Sequence, residues 1–480
     1  MSLGNILVAK GLVTPEDVQR AMEHQRENGG RFGDNLVAVG AATAEEIDAV
    51  LNEVPDAPRR LEDTGIDPMN LLQLMMKGMF AENLETVAGL AEAMMLFSSV
   101  VKPLMEEALD RQWVEAVGQV SGGAGALGET RYALTKDGRR WTQEAMDLCQ
   151  YFGPAPVSLE AFQERILLQR MTNEWISRPV MLEAFGDLVI PERFVSRLGP
   201  AINSATALLI YGPAGNGKTT IAEIVGKIFE NVIYVPHCFE VDGQIIKVYD
   251  PSIHKTIERP PEVEGEVRSL RRDTLDKRWM PCYRPMVMTG GELTLEMLDL
   301  KFNEIAKFYD APMHIKALNG TFLIDDFGRQ RASPEDILNR WIVPLNSRVD
   351  YLNLHTGKSF QLPFDELVIF STNLKPSDLM DPAFQRRINY KLETVAPPED
   401  VFRDVFENVA AKNGLQLSEE IYQQVIASIR DNNAPLAYFQ PNFIVDQVLA
   451  SCKFEDMESQ FTKDNVEDAM LNLFVVETEA

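Results

Sequence analysis

The chain has 480 residues, 45% of them hydrophobic and 25% charged, proportions of soluble globular protein that exclude collagen-like, low-complexity and wholly disordered chains. At roughly 150 residues per domain the length suggests about three domains. Lys and Arg total 46 against 72 Asp and Glu, a net charge of −26, so most of the surface repels polyphosphate and nucleic acid is not the expected partner.

The four cysteines, Cys149, Cys238, Cys282 and Cys452, lie far apart and form no CxxC. A zinc ribbon or thioredoxin-type site therefore has no support, and free thiols in a reducing cytoplasm are expected. No apolar run approaches the roughly 20 residues of a membrane helix, and Met1 precedes no basic and apolar segment of signal-peptide type. A cytoplasmic chain without membrane insertion follows.

Residues 1–54 repeat themselves. Leu3-Gly4-Asn5-Ile6-Leu7-Val8-Ala9-Lys10-Gly11 is echoed by Phe32-Gly33-Asp34-Asn35-Leu36-Val37-Ala38-Val39-Gly40. Thr14-Pro15-Glu16-Asp17 and Thr43-Ala44-Glu45-Glu46 follow the second glycine of each copy and read as helix N-caps with acidic first turns. Val18, Ala21, Met22 and Gln25, then Ile47, Val50 and Leu51, keep helical spacing. Two stacked helix hairpins are predicted. The pattern resembles the MshEN-type N-terminal domain of type II secretion and type IV pilus ATPases, some of which bind cyclic di-GMP. Gly4, Gly11, Gln25, Arg31, Gly33 and Gly40 match that pattern; Ser2 stands where it has an arginine and Val54 where it has a glutamine. An arginine that would grip phosphate or stack on guanine is therefore missing. A docking module and a cyclic di-GMP sensor both remain open.

A linker rich in Pro and Asp covers 55–67. In 68–150, Met69, Leu72, Met75, Met76, Met79 and Phe80 keep helical spacing, and 84–95 and 98–113 predict two more helices. A break at Ser121-Gly122-Gly123-Ala124-Gly125 precedes Arg131-Tyr132-Ala133-Leu134-Thr135-Lys136-Asp137-Gly138-Arg139, read as a strand with a turn. The arrangement resembles a winged helix. Its third helix carries Glu106, Glu107 and Asp110 against Lys102 and Arg111, the wrong balance for a DNA groove, so protein contact is expected. Residues 151–199 read as a helical bridge, with an amphipathic stretch over 159–173.

The chemistry lies in 200–395. A buried strand ending at Tyr211 runs into Gly212-Pro213-Ala214-Gly215-Asn216-Gly217-Lys218-Thr219-Thr220, and 221–229 is helical. This is G-x-x-x-x-G-K-T between strand and helix, the context in which backbone N–H groups cradle phosphates. Lys218 would reach the β- and γ-phosphates and Thr219 a Mg²⁺ ion. A second buried strand, 321–324, ends in Asp325-Asp326: one carboxylate to hold the metal's water shell, the other to orient the attacking water. A third, 367–371, delivers Thr372-Asn373, whose amide can bond the γ-phosphate or the water. Asp381-Pro382-Ala383-Phe384-Gln385-Arg386-Arg387 comes next.

In this order the pieces resemble an AAA+ ATPase: Walker A, Walker B, sensor 1 and an arginine-finger segment, with 396–480 as a helical lid of two or three helices. The resemblance implies a multidomain α/β protein with a P-loop AAA+ core, ATP and Mg²⁺ as ligands, Thr219 and Asp325 at the metal, and Asp326, Asn373, Arg386 and Arg387 as catalytic groups. A hairpin over 349–354 and 359–362 resembles the pre-sensor-1 hairpin of the MoxR, unfoldase and helicase branches. G-T-F-L-I-D-D-F-G-R-Q and G-G-E-L-T-L-E-M-L-D-L resemble bacterial predicted ATPases with chaperone activity associated with pilus assembly.

The chain departs from the family in having Asp-Asp where most members have Asp-Glu. Asn442 lies near the place of a sensor-2 arginine, and a long insertion falls over roughly 236–291. The insertion holds Arg268, Arg271, Arg272, Lys277 and Arg278, readable as a solvated face, a subunit contact or phosphate sensor in trans, or a nucleic-acid grip. It also holds Tyr249 and Trp279 as pore-loop aromatics to weigh against core packing, and a His237-Cys238 pair too small for a metal site.

The expected function is an ATP-hydrolysing ring, a hexamer in which Arg386 or Arg387 completes the neighbour's site, remodelling or assembling a protein client chosen by residues 1–150. A nucleotide-gated scaffold with little turnover is the alternative. A pilus-extension motor lacks its acidic and histidine boxes here, and a DNA-binding regulator lacks the G-A-F-T-G-A loop.

Overall fold

A computed structural model describes residues 3–28, 31–51, 53–120, 129–186, 188–257 and 275–474. Its centre is a five-stranded, all-parallel sheet in the order Tyr390–Glu393, Leu208–Tyr211, Leu367–Thr372, Thr321–Ile324, Met286–Thr289. Counted along the chain, that order is fifth, first, fourth, third, second. Strands buried on both faces read as continuous apolar runs, and the side chains divide by alternation. Leu208, Ile210, Leu323, Leu367, Ile369 and Leu392 pack under the helices Glu192–Ser204 and Lys218–Lys227. Leu209, Phe322, Ile324, Val368 and Phe370 face the helix Pro334–Ser347 and its buried Trp341. A helix–sheet–helix sandwich results.

Two differences from the sequence reading concern the insertion. Met286–Thr289, inside the expected 236–291 span, is an edge strand of the parallel sheet itself. The inserted residues before it and those after it join to build a second sheet: Lys301–Phe302, Tyr309–Asp310, Gln244–Lys247, Cys238–Val241 and Val157–Ser158. Residues 151–199 therefore supply a strand as well as helices. Trp279–Cys282 pairs antiparallel with Ile233–Pro236, and Phe162, Phe239, Trp279, Tyr309, Leu352, Phe360 and Leu362 fill one core beneath both sheets.

The hairpin Val349–Asn353 and Ser359–Pro363 leans on this second sheet. The Tyr309 hydroxyl accepts the His355 N–H at 2.7 Å, the His355 ring lies 4.2 Å from that of Phe302, and Lys358 pairs with Asp242.

Four helices, Leu3–Ala9, Pro15–Asn28, Phe32–Ala38 and Ala44–Leu51, make the repeated module. Their apolar faces close over Leu36 and Ala21 and extend onto Leu167 and Leu168 of the helix Leu159–Leu168. Thr14 and Thr43 each share hydrogen bonds with the acid three residues on, Asp17 and Glu46. Next come the helices Pro68–Ala81, Val87–Met94 and Ser98–Asp110, a hairpin of Val114–Val120 with Glu129–Leu134, and a helix Lys136–Leu148. That last helix replaces the expected turn after the strand. Thr135 caps it through the Gly138 N–H, and Gly138 is glycine because a Cβ there would stand 1.9 Å from the Trp113 carbonyl oxygen.

The C-terminal part holds four helices among the described residues, Glu399–Lys412, Glu419–Asp431, Gln440–Phe454 and Lys463–Leu473, against the two or three expected. They enclose their own core of Phe402, Phe406, Tyr422, Ile444 and Val448. All four cysteines are free. No helix among the described residues is long and apolar enough to cross a membrane.

Candidate nucleotide site

The site forms where three neighbouring parallel strands end together, Leu208–Tyr211, Leu367–Thr372 and Thr321–Ile324. Ligands of open α/β sheets bind outside the carboxyl ends of the strands, where the strand order reverses. Here the first strand sits beside the fourth.

The loop leaving the first strand is shaped for close approach. Gly212 has φ +142°, and a Cβ on it would fall 2.2 Å from the Thr394 carbonyl oxygen. Gly215 and Gly217 have φ +79° and +72°, where other residues carry a cost of roughly 1–3 kcal/mol. Gly217 precedes the first turn of the helix Lys218–Lys227, whose free N–H groups and dipole favour an anion. Lys218, 6% exposed, donates to the carbonyls of Gly212 at 3.0 Å and Pro213 at 2.9 Å. Burial lowers its pKa, and the nearby Asp326 and Asp325 carboxylates oppose that. Pro213, Ala214 and Thr220 are exposed, while Asn216 is buried with an Oδ1 that has no hydrogen-bond partner among the described residues.

The second strand brings the carboxylates. The Thr219 hydroxyl lies 3.1 Å from both Asp325 oxygens, and the Asp325 N–H is anchored on the Thr289 carbonyl at 2.8 Å. Asp326 adopts φ +48°, which turns its carboxylate away from that of Asp325 to accept a 3.0 Å hydrogen bond from Asn373 Nδ2. A hydroxyl beside a carboxylate is an all-oxygen donor set of the kind a hard divalent cation such as Mg²⁺ takes. The glycine cradle, the buried Lys218 and the orphaned Asn216 amide oxygen fit a polyphosphate above it. Thr219, Asp325, Asp326, Asn373 and the loop are thus brought together.

The arginines stand apart from that cluster in their surroundings. Arg386 follows the short helix Pro382–Gln385 and is exposed. Arg387 lies with its guanidinium carbon 5.2 Å from the centroid of Phe384.

The structure adds two residues that the sequence did not single out. Phe439, at the start of the helix Gln440–Phe454, donates its N–H to the Gly215 carbonyl at 3.1 Å, and its ring lies against Gly215. It is this residue, and not the exposed Asn442, that joins the C-terminal helices to the loop. Gln330, the last residue of the G-T-F-L-I-D-D-F-G-R-Q stretch, folds back on the Asp325-Asp326 turn.

Other sequence candidates fall elsewhere. Arg31 donates to the Asn173 carbonyl at 2.9 Å and lies 5.7 Å over the Trp175 ring, so it is engaged in holding the first module against the chain. Arg268, Arg271 and Arg272 lie outside the described residues, as does Ser2. Lys277 is exposed. Arg278 is buried against Asp276 at 2.9 Å and donates to the Pro156 carbonyl, which removes it from any basic face. Trp279 is core beside Phe162, and Tyr249 packs between His237 and His254. Burial drops His237 to about 4 and pushes the Cys238 thiol up to about 12; no metal-holding cluster occurs among the described residues.

A family model described as a domain of unknown function (DUF8689) matches residues 398–472, the four C-terminal helices. The sequence matches no curated protein. Among solved structures, the chain is similar to NtrX from Brucella abortus, with 13% identity over 62% of this chain and 59% of that one and a TM-score of 0.37; the match thus takes in less than two thirds of the NtrX chain. It is also similar to a point mutant of RuvB from Thermotoga maritima, with 12% identity over 63% of this chain and 73% of that one and a TM-score of 0.33. A further RuvB structure, described as a Holliday junction branch migration motor, has 14% identity, coverage of 60% and 71%, and a TM-score of 0.32.

Proposed function

We infer that the chain is an AAA+ ATPase that binds and hydrolyses ATP with Mg²⁺ in a ring, a hexamer, and uses the cycle to remodel or assemble a protein client. One observation carries the chemistry: Thr219 on Asp325, Asp326 on Asn373 and Lys218 within its loop converge on one point at the ends of three parallel strands. In phosphoryl transfer the protein's work is positioning and charge stabilisation. Lys218 neutralises phosphate charge, Thr219 and Asp325 would hold Mg²⁺ with its waters, and Asp326 and Asn373 would orient the attacking water. Mg²⁺, when bound, supplies charge neutralisation at the phosphates.

The exposed Arg386 supports an arginine acting on a neighbouring subunit. Residues 1–150 are read as the client-choosing part, in a pilus, secretion or cyclic di-GMP-linked setting. Arg31, already bonded to Asn173, favours docking over cyclic di-GMP sensing for the first module. The acidic chain and the burial of Arg278 favour a protein client over nucleic acid.

The test is multiple-turnover phosphate release with Mg²⁺-ATP, with and without Lys218→Ala. Release that disappears in the variant supports the ATPase. ATP binding without release assigns the chain to a nucleotide-gated scaffold instead, and release unaffected by Lys218→Ala overturns the site.

A further inference from the structure

Asp326 occupies a backbone conformation that favours glycine, and the structure shows what keeps it there. On one side the neighbouring strand grips the turn: Phe327 N–H donates to the Ser371 carbonyl at 2.7 Å, and the Thr372 hydroxyl donates to the Phe327 carbonyl at 2.7 Å. Gly328, at φ +108°, passes so near Leu379 that a Cβ would stand 2.6 Å from its Cδ2. On the other side the Arg329 N–H donates to the Asp326 carbonyl at 3.0 Å, and one side chain joins it. Gln330 Nε2 donates to the Asp325 carbonyl at 2.8 Å and the Asp326 carbonyl at 3.2 Å, while its Oε1 accepts the Gly328 N–H at 2.8 Å.

The amide is used in both senses, so its replacements are chemically distinct. Glutamate keeps the acceptor and, when ionised, loses both donated bonds while aiming a charge at two carbonyl oxygens. Asparagine is one methylene shorter. Alanine makes none of these bonds.

We propose that Gln330 is a positioning residue for hydrolysis: its clamp on the Asp325-Asp326 turn sets the direction in which Asp326 points. This rests on the ATPase reading and deepens it. The two carboxylates are adjacent in sequence yet serve different partners, Asp325 the Thr219 hydroxyl and Asp326 the Asn373 amide. That divergence is a property of the peptide between them, whose carbonyl is one of the two that Gln330 holds. Asp326 has a short side chain, so its reach toward a reacting water is set by backbone direction. Freed of the clamp, the turn can relax toward negative φ, swinging the carboxylate off Asn373 while leaving the phosphate loop and Thr219 in place.

The experiment is steady-state ATP turnover and nucleotide affinity for Gln330→Ala and Gln330→Glu, each made in the natural chain and in an Asp326→Asn background, with Lys218→Ala as control and thermal unfolding to verify folding. Gln330→Ala should lower kcat about tenfold or more, with affinity for a non-hydrolysable ATP analogue unchanged within about twofold. It should add nothing in the Asp326→Asn background, because residues acting as one unit are non-additive. Gln330→Glu should show a similar loss, because an ionised carboxylate donates to neither carbonyl.

Turnover within twofold of the natural chain in both Gln330 variants overturns the clamp, as does an equal additional loss in the Asp326→Asn background. Parallel loss of affinity and kcat also overturns it, since that marks collapse of the whole site. Turnover that survives Lys218→Ala overturns the ATPase reading and the clamp with it; turnover lost in Lys218→Ala but kept in Gln330→Ala overturns the clamp alone.

Discussion

Gly215 and Gly217 share a loop and nearly the same backbone, with φ +79° and +72°, yet their surroundings differ. A Cβ on Gly217 would meet nothing within 4 Å; one on Gly215 would stand 2.2 Å from Phe439 Cδ1 and 2.7 Å from Cε1. Gly217→Ala therefore pays only for backbone strain, roughly 1–3 kcal/mol. Gly215→Ala adds an overlap with the ring, and overpacking of this kind costs typically about 1–3 kcal/mol more. That surplus falls on the contact between the C-terminal helices and the loop, and corresponds to roughly a tenfold to hundredfold shift in its opening. Hydrogen exchange of the Phe439 amide reads this directly. That N–H precedes the helix Gln440–Phe454 and donates to Gly215, so its protection depends on the contact. Protection should fall by about that factor in Gly215→Ala, stay near the natural value in Gly217→Ala, and be partly regained when Phe439→Ala removes the ring from the Gly215→Ala chain. Equal loss in the two glycine variants would refute the reasoning, since strain alone would then account for both.

Glu366 is fully buried, and neither carboxyl oxygen has a hydrogen-bond partner among the described residues. Burial, with Asp350 and Asp365 nearby, raises its pKa well above the ordinary 4.5, and Arg348 opposes the shift. A raised folded-state value means that its stabilising contribution is complete below the unfolded value and declines by about 1.4 kcal/mol per pH unit above it, until the folded value is reached. Glu366→Gln cannot ionise, so its denaturant unfolding profile should lose that decline and cross above the natural chain at neutral to alkaline pH; parallel profiles would refute this. Of the two arginines, Arg386→Ala should abolish concentration-dependent turnover, a loss on the order of a thousandfold or more, while sparing nucleotide binding. Arg387→Ala should cost about 0.5–1 kcal/mol of stability through its Phe384 contact. Full activity of both single variants in assembled rings overturns the arginine-finger assignment.

The nucleotide loop and the strands that carry it were readable because their signals are local. A buried parallel strand is a short apolar run, and Leu208–Tyr211, Thr321–Ile324 and Leu367–Thr372 each run directly into the residues that matter, the loop from Gly212, Asp325-Asp326 and Asn373. The second sheet offers no such run. Val157–Ser158, Lys301–Phe302 and Tyr309–Asp310 are two residues each, and Val157–Ser158 and Tyr309–Asp310 pair with distant strands, so neither period nor length marks them. Gly138 misled for a related reason. A glycine after a strand reads as a turn, but here it serves a helix crowded by the carbonyl of Trp113, a neighbour supplied by tertiary packing. Arg278 likewise looked like part of a basic run until Asp276 and the Pro156 carbonyl took up its guanidinium.

The hairpin at 349–363 shows how composition and placement diverge. Its tip, Leu354-His355-Thr356-Gly357-Lys358, has the polar make-up of a loop free to project. Instead, Tyr309, Phe302 and Asp242 of the second sheet receive His355 and Lys358, while Leu352, Phe360 and Leu362 enter the shared core. One end of this hairpin continues into the helix that carries Trp341, and the other leads through the buried Asp365 and Glu366 into the strand that delivers Asn373. A polar tip with a buried apolar stripe is therefore better read as a strut between two sheets than as a free loop. The alternation of buried and exposed residues along both strands is the feature of the sequence that separates the two readings.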